Sequence, residues 1–95
     1  MKKYTDYKEF QKTLDDGVEN EILYTGYLVV STERRNGNLG DSFEVLATES
    51  LQDALNAAHR EREHDVNNRY FIEIQTNITV DSCGCMCCDT IGIED

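Results

Sequence analysis

The residues best suited to chemistry in this chain are four cysteines, which all lie within the six residues from Cys83 to Cys88. No other position is cysteine, so the cluster does not belong to a disulfide framework joining distant segments. Thiolate sulfur is a preferred ligand of zinc, and four thiolates complete the tetrahedral shell of a structural zinc site. The sequence therefore predicts one structural Zn²⁺ ion, bound by Cys83, Cys85, Cys87 and Cys88.

The spacing of the cysteines leaves the ligand set open. Zinc sites usually combine two short Cys-x-x-Cys turns from separate parts of a chain. Here all four cysteines lie in one segment, where only Gly84 gives the backbone extra conformational freedom. If one sulfur cannot reach the metal, the replacement ligand could be His59, His64, a nearby carboxylate or a cysteine from a second chain.

Other roles for the thiols also stay open. A disulfide between the adjacent Cys87 and Cys88 would be strained and easily reduced, which is a redox alternative. No Lys, Arg or His adjoins the cluster in sequence, so nothing local favours a reactive thiolate. Free thiols in a poorly ordered terminal segment and an iron–sulfur cluster are further alternatives.

The sequence contains no recognisable catalytic motif. We find no glycine-rich loop for phosphate and no arrangement of nucleophile, base and orienting residue. A zinc ion held by four thiolates has no open position at which to activate water. We therefore expect a protein that is not an enzyme, in which zinc stabilises the cysteine-rich C-terminal segment, residues 81–95.

The charge of the chain limits its partners. Nineteen acidic and nine basic residues give a formal net charge of -10, which opposes direct binding to a nucleic-acid backbone and favours a basic protein surface. The imbalance is greatest towards the C-terminus, because Arg69 is the last basic residue. Acidic residues continue beyond it, at Glu73, Asp81, Asp89, Glu94 and Asp95.

Length and composition predict a single domain over residues 1–95. The chain has no proline, no low-complexity linker and no internal repeat that would mark a boundary. It also has no run of 18 apolar residues and no signal peptide. We therefore expect a soluble cytoplasmic protein, a compartment in which clustered thiols more often bind metal than form lasting disulfides.

Two helices can be predicted from their capping residues. Asp6 and Glu9 have the spacing of a capping box, and an amphipathic pattern then runs as far as Gly17. Ser50 begins a second such signal, although Asp53 replaces the usual Glu. The apolar face expected for the second helix contains Leu51, Ala54, Leu55 and Ala58.

Three strands follow from apolar and β-branched residues. We predict strands at 21–32, 43–47 and 70–80, with a bulge at Gly26 and an Asn36-Gly37 hairpin turn between the first two. The expected fold is α+β in the order α-β-β-α-β. It consists of a small antiparallel three-stranded sheet covered on one side by two helices, with the cysteine segment after the last strand. In that strand one face is expected to carry Tyr70, Ile72, Ile74, Ile78 and Val80.

A small, strongly acidic single-domain chain without an enzyme motif resembles the phage-encoded anti-CRISPR proteins. The segment from Cys83 to Cys88 is similar to the cysteine-rich tail of a zinc-carrying member of the type II-A group. The resemblance implies a stoichiometric inhibitor that binds Cas9 directly in the host bacterial cytoplasm and prevents it from engaging target DNA.

A basic partner would be contacted by an acidic surface. Cas9 holds nucleic acid in positively charged channels, so carboxylates can be steered onto them and compete with phosphate. We expect the contact surface on the exposed side of the second helix and in the acidic C-terminal quarter. Its candidate residues are Glu61, Glu63, Asp65, Glu73, Asp81 and Asp89.

Two functions of other classes remain as alternatives. The first is a zinc-stabilised protein-interaction module that acts on another host regulator or defence enzyme. The second is a metal-buffering or redox protein. Metal titration separates them, because a buffer binds several exchangeable ions, whereas a structural site binds one ion and couples it to folding.

Overall fold

The computed structural model describes residues 1–93. Two helices and five strands form an α+β fold, which confirms the predicted class. Glu94 and Asp95, the last of the predicted acidic residues, lie outside the described part. The elements in chain order are β1 (Lys2–Tyr4), α1 (Tyr7–Asp16), β2 (Ile22–Arg35), β3 (Asn38–Thr48), α2 (Leu51–His64), β4 (Tyr70–Val80) and β5 (Met86–Gly92).

The five strands form one mixed sheet, with β2 near its centre. β4 pairs with one edge of β2, and β5 continues the sheet beyond β4. The other edge of β2 is shared, because β1 pairs with its first residues and β3 with the remainder. β1 is parallel to β2, whereas the other pairs are antiparallel. The prediction of a three-stranded antiparallel sheet was therefore wrong in strand number and in direction.

Helix α1 forms where its capping signals predict it. The Asp6 side chain accepts a hydrogen bond from the backbone N–H of Lys8 at 2.9 Å, which satisfies a donor in the first turn. The helix ends before Gly17, whose φ of 102° is in the region that favours glycine. Phe10 is its one fully buried residue and anchors the helix on the sheet.

The β2–β3 hairpin confirms the Asn-Gly signal. Asn36 and Gly37 both have positive φ, and Arg35 pairs with Asn38 across the turn. This is the geometry of a type I′ turn, whose twist matches that of the flanking strands. Both strands extend further towards the turn than their apolar residues indicate, because ladder hydrogen bonding continues through polar positions.

The two helices lie on opposite faces of the sheet, and the expectation that both cover one side was wrong. Val29 of β2 packs with the alanines of α2, whereas its neighbours Leu28 and Val30 pack with Phe10 of α1. Successive side chains of a strand point to opposite faces. The sheet therefore has an α1 face and an α2 face, each with its own hydrophobic core.

A single residue moves the buried side chains of β4 from one face to the other. Ile72 and Ile74 belong to the core under α2, whereas Ile78 and Val80 belong to the core under α1. Asn77 lies between the two pairs with φ of 51°, at an irregularity in pairing with both neighbouring strands. The prediction that these isoleucines share one face was wrong, because a bulge reverses the alternation of side chains.

Helix α2 packs closely on the sheet through small side chains. Ser50 caps it by accepting a hydrogen bond from the N–H of Asp53 at 3.2 Å. Ala54, Ala57 and Ala58 are buried against the sheet. Leu51, predicted on this apolar face, is exposed instead.

Candidate functional site

The four cysteines lie in and after a tight turn between β4 and β5. The Asp81 carboxylate accepts hydrogen bonds from the backbone N–H groups of Cys83 and Cys85, both at 2.9 Å. The backbone N–H of Gly84 donates to the Asp81 carbonyl at 3.0 Å, and Gly84 has a φ of 84°. This reverse turn makes the cysteine segment part of the sheet. The expectation that it follows the last strand was therefore wrong.

Strand geometry separates the cysteine side chains. Cys87 pairs with Thr79 in the β4–β5 ladder, and Cys88 is the next residue of β5, so their side chains point to opposite faces. Cys85 lies directly before β5, and the hydrogen bond from Asp81 N–H to its carbonyl at 3.1 Å extends the β4–β5 pairing to it, which places Cys85 on the same face as Cys87. That face is the α2 face, because Ile91 lies four residues after Cys87 in the same strand, and its side chain packs in the α2 core. Cys83 lies in the turn itself.

A single chain in this arrangement does not fit a four-thiolate zinc site. All four cysteines are exposed free thiols, and residues 1–93 contain no group of three or more Cys, His, Asp or Glu placed to hold a metal ion. The alternative ligands His59 and His64 are exposed on α2 and join no such group. Zinc binding stays a prediction, and a complete ligand shell would need further ligands beside these cysteines, such as a cysteine from a second chain.

The electrostatics of β5 also bear on the redox alternative. Partial desolvation of the sulfur, together with the nearby negative charges of Glu73 and Asp89, raises the pKa of the Cys88 thiol. A raised pKa reduces the thiolate fraction, and thiolate is the nucleophilic form in disulfide exchange. The opposite directions of Cys87 and Cys88 also oppose a disulfide between them in this conformation.

Four of the six carboxylates predicted to bind a partner have local structural roles. Asp65 accepts from the N–H groups of Arg69 and Tyr70, both at 2.8 Å, which closes the loop after α2. Asp81 holds the cysteine turn, as described above. The remaining two accept side-chain amide hydrogen bonds at 3.0 Å, Glu73 from Gln75 and Asp89 from Asn77.

The six carboxylates do not form one surface. Glu61 and Glu63 lie on α2, and their carboxylates make no hydrogen bond or ion pair within the described residues. Glu73 pairs with Val30, so it belongs to the α1 face. The six carboxylates predicted from sequence therefore lie on different parts of the surface. Of the six, only Glu61 and Glu63 have no hydrogen-bond or ion-pair partner for their side chains within the described residues.

A different acidic surface lies in a groove of about 1070 Å³ between α1 and β3, here called the α1–β3 groove. Sequence reasoning missed it, because its two walls are far apart in the chain. The phenol of Tyr7 connects the walls by donating to the Glu44 carboxylate at 2.9 Å. The ionisable residues lining the groove are Asp6, Lys8, Lys12, Asp15, Glu44 and Glu49, together with Tyr7 and Tyr24.

Two tyrosines in this groove have raised pKa values, for which burial is the main cause and nearby carboxylates the second. Burial and the hydrogen bond to Glu44 raise the pKa of Tyr7 well above its usual range. Burial also raises the pKa of Tyr24, and the charges of Glu49 and Asp6 add to it. Gln11 contributes an unused acceptor, because its buried Oε1 atom has no hydrogen-bond partner among the described residues. The groove therefore suits positively charged donors.

The raised pKa of Tyr7 predicts that the protein loses stability at alkaline pH. Above pH 10 the unfolded chain releases the proton while the folded chain keeps it, so the folded state binds more protons and stability falls as pH rises. The Tyr7→Phe variant should lose stability less steeply above pH 10, since one such group is gone. Urea unfolding at pH 8 to 11 measures the slopes, and equal slopes would contradict the assignment.

Comparisons with known proteins identify no relative. No protein-family model matches the chain, and neither a curated protein nor a solved structure matches it. No helix within residues 1–93 has the length and apolar character needed to cross a membrane.

Proposed function

We propose that this protein inhibits Cas9 by direct stoichiometric binding, with carboxylates taking the place of nucleic-acid phosphates. The supporting observation is that its negative charge is hardly neutralised within the chain. The only ion pairs among residues 1–93 join Arg35 to Glu33 at 3.0 Å and to Asp41 at 3.4 Å. The net charge is -10, and most carboxylates have no ion-pair partner within residues 1–93, so their charge can attract an external basic surface.

The α1–β3 groove is the part of this surface that best suits a basic partner. Its carboxylates come from both walls, and the Gln11 Oε1 atom adds an acceptor that a guanidinium or ammonium donor can satisfy. Cas9 lines its nucleic-acid channels with such donors. The proposed mode of action is occupation of a channel by the groove, which prevents target DNA from entering.

Charge reversal on the groove tests this proposal. We expect the double variant Asp15→Lys/Glu49→Lys to weaken binding to guide-loaded Cas9 at least tenfold and to restore target-DNA binding. Both residues line the groove and neither carboxylate is hydrogen-bonded within the described residues. Titration of the protein into guide-loaded Cas9 with labelled target DNA measures both effects.

A matched control tests whether the location of the reversed charges matters, or only the change in net charge. Glu61→Lys/Glu63→Lys also makes two reversals, so each double variant changes the net charge from -10 by +4 to about -6. Weakening by the α2 variant alone would show that the surface predicted from sequence makes the contact. No inhibition by the unmodified protein at large excess would contradict the proposal and favour an interaction module for another host protein.

A further inference from the structure

The free edge of β5 lacks the protection found at the other edges of the sheet. β3 carries two irregularities in its pairing with β2, and β1 has three residues, two of them lysine. Bulges, short length and lysine all discourage pairing with another sheet. β5 is seven residues long, pairs with β4 alone among the described residues, and has Asp89 as its one charged residue.

The turn determines which backbone groups of β5 are free. Asp81 N–H donates to the Cys85 carbonyl at 3.1 Å, so the polar backbone groups of Cys85 point towards β4. Along an antiparallel strand, the backbone N–H and carbonyl groups of successive residues point alternately to the two sides. Those of Cys87 therefore also point towards β4, and those of Met86 and Cys88 point outwards. Met86 therefore presents an N–H and a carbonyl at the open edge, and its side chain is 58% exposed.

Each chain presents half of a four-thiolate site. Cys85 and Cys87 share the α2 face, and they belong to no group of three or more side chains placed to hold a metal ion within residues 1–93. A two-fold symmetric contact uses the same surface of both partners and doubles every residue in it. Antiparallel pairing of two β5 edges with Met86 opposite Met86 sets each Cys85 opposite the Cys87 of the other copy. All four sulfurs then lie on one face of the joined sheet.

The register of this pairing suits the metal. Met86 and its copy form a hydrogen-bonded pair, which makes Cys85 and the opposite Cys87 a non-hydrogen-bonded pair with Cα atoms about 4.5 Å apart. Sulfurs bound to one zinc at about 2.3 Å lie roughly 3.8 Å from one another. Opposing thiols at this spacing can therefore turn towards a common ion.

We propose that two copies of this chain pair antiparallel through β5 and hold one Zn²⁺ between them, with Cys85 and Cys87 of each copy as ligands. Cys88 points to the other face and is not a ligand. The proposal goes beyond the inhibition of Cas9 and does not depend on it, because it concerns the opposite edge of the sheet from the α1–β3 groove.

The dimer should require the metal. Each chain carries a net charge of -10, so two copies repel one another. The backbone contact centred on Met86 is short. The N–H of Gly84, two residues before Met86, already donates to the Asp81 carbonyl within the turn and cannot extend the pairing. Zinc supplies the missing attraction, since binding of a metal to the assembled state alone stabilises that state by mass action.

Native mass spectrometry and size-exclusion chromatography with light scattering test the proposal on the full chain. The protein is kept reduced with a phosphine so that disulfides cannot join the copies. With added ZnCl2 we expect a species of twice the 10.9 kDa chain mass containing one zinc. Removal of zinc with EDTA should return the monomer.

Three variants localise the site. Cys85→Ser and Cys87→Ser should each abolish the dimer, whereas the matched change Cys88→Ser should leave it intact. Met86→Pro keeps every thiol but removes the outward N–H, a position where an edge strand tolerates proline, and it should also give a monomer. Circular dichroism of each variant checks that the monomer remains folded.

Several outcomes would overturn the proposal. These are a monomer containing one zinc, the absence of zinc binding, a dimer that survives EDTA, and loss of the dimer in Cys88→Ser. None of these results concerns Cas9. The failure of this proposal is thereby distinguishable from a failure of the proposed inhibition, which is measured with target DNA.

Discussion

Replacement of Phe10 by alanine is expected to lower the free energy of unfolding by about 3–5 kcal/mol. Phe10 is 1% exposed and is the one fully buried residue of α1. Its ring lies 5.9 Å from that of Tyr4 and 5.7 Å from that of Tyr24. Its removal would leave a cavity among rigid aromatic rings that cannot readily close. Because small domains have a total stability of about 5–15 kcal/mol, the loss would be a large part of the whole.

Phe43→Ala makes the same chemical change at an exposed site and serves as the control. Phe43 is 53% exposed and contacts Tyr70 at the edge of the sheet, so we expect a loss of about 1 kcal/mol or less. Urea unfolding followed by circular dichroism measures both variants. Equal losses would contradict the assigned core. Since α1 forms one wall of the α1–β3 groove, Phe10→Ala should also weaken the proposed binding to Cas9.

The second large effect is expected at Gly26, where an alanine side chain has no space. A Cβ atom there would lie 2.6 Å from Cζ of Tyr24 and 3.0 Å from the carbonyl oxygen of Thr48, and would also contact the Tyr24 hydroxyl. The Tyr24 ring is fully buried and packed against Phe10, so it cannot move aside freely. We expect Gly26→Ala to cost about 1–3 kcal/mol, the usual range for overpacking.

A double-mutant cycle tests the cause of this loss. Tyr24→Phe removes the hydroxyl nearest to the new methyl group, so Gly26→Ala should cost at least about 0.5 kcal/mol less in that background. Gly92→Ala is the control, because no atom of the described residues 1–93 lies within 4 Å of its Cβ position and its φ is not positive. An unchanged cost in the Tyr24→Phe background would mean that the hydroxyl is not the source of the conflict, and would leave the ring carbon Cζ and the Thr48 carbonyl oxygen as its source.

The elements predicted best from sequence are those specified by neighbouring residues. Asp6 and Gly17 delimit α1, Ser50 begins α2, and Asn36 with Gly37 forms the turn between β2 and β3. In each case the signal is a side chain that satisfies a backbone group within a few residues, or a backbone angle that few residues adopt. The prediction of a bulge at Gly26 was also confirmed, because β2 is irregular between Tyr24 and Tyr27.

The strands that sequence reasoning missed owe their form to partners distant in the chain. β1 has one buried residue, Tyr4, and exists because its backbone pairs with the start of β2. β5 is largely exposed and lacks an apolar alternation at its start, so only pairing with β4 makes it a strand. Likewise, the face that each isoleucine of β4 occupies depends on Asn77, whose positive φ accompanies the irregular pairing of β4 with its neighbours.

The chemical character of the protein was determined by composition: the net charge of -10 and four clustered thiols depend on residue identity alone. Tertiary structure decided which groups can act together. It engages Asp65 and Asp81 in local hydrogen bonds, brings Glu44 of β3 beside Tyr7 of α1, and directs Cys87 and Cys88 to opposite faces. The physical reason is that hydrogen bonds within turns and strand pairing together set side-chain direction, and strand pairing joins residues that are remote along the chain.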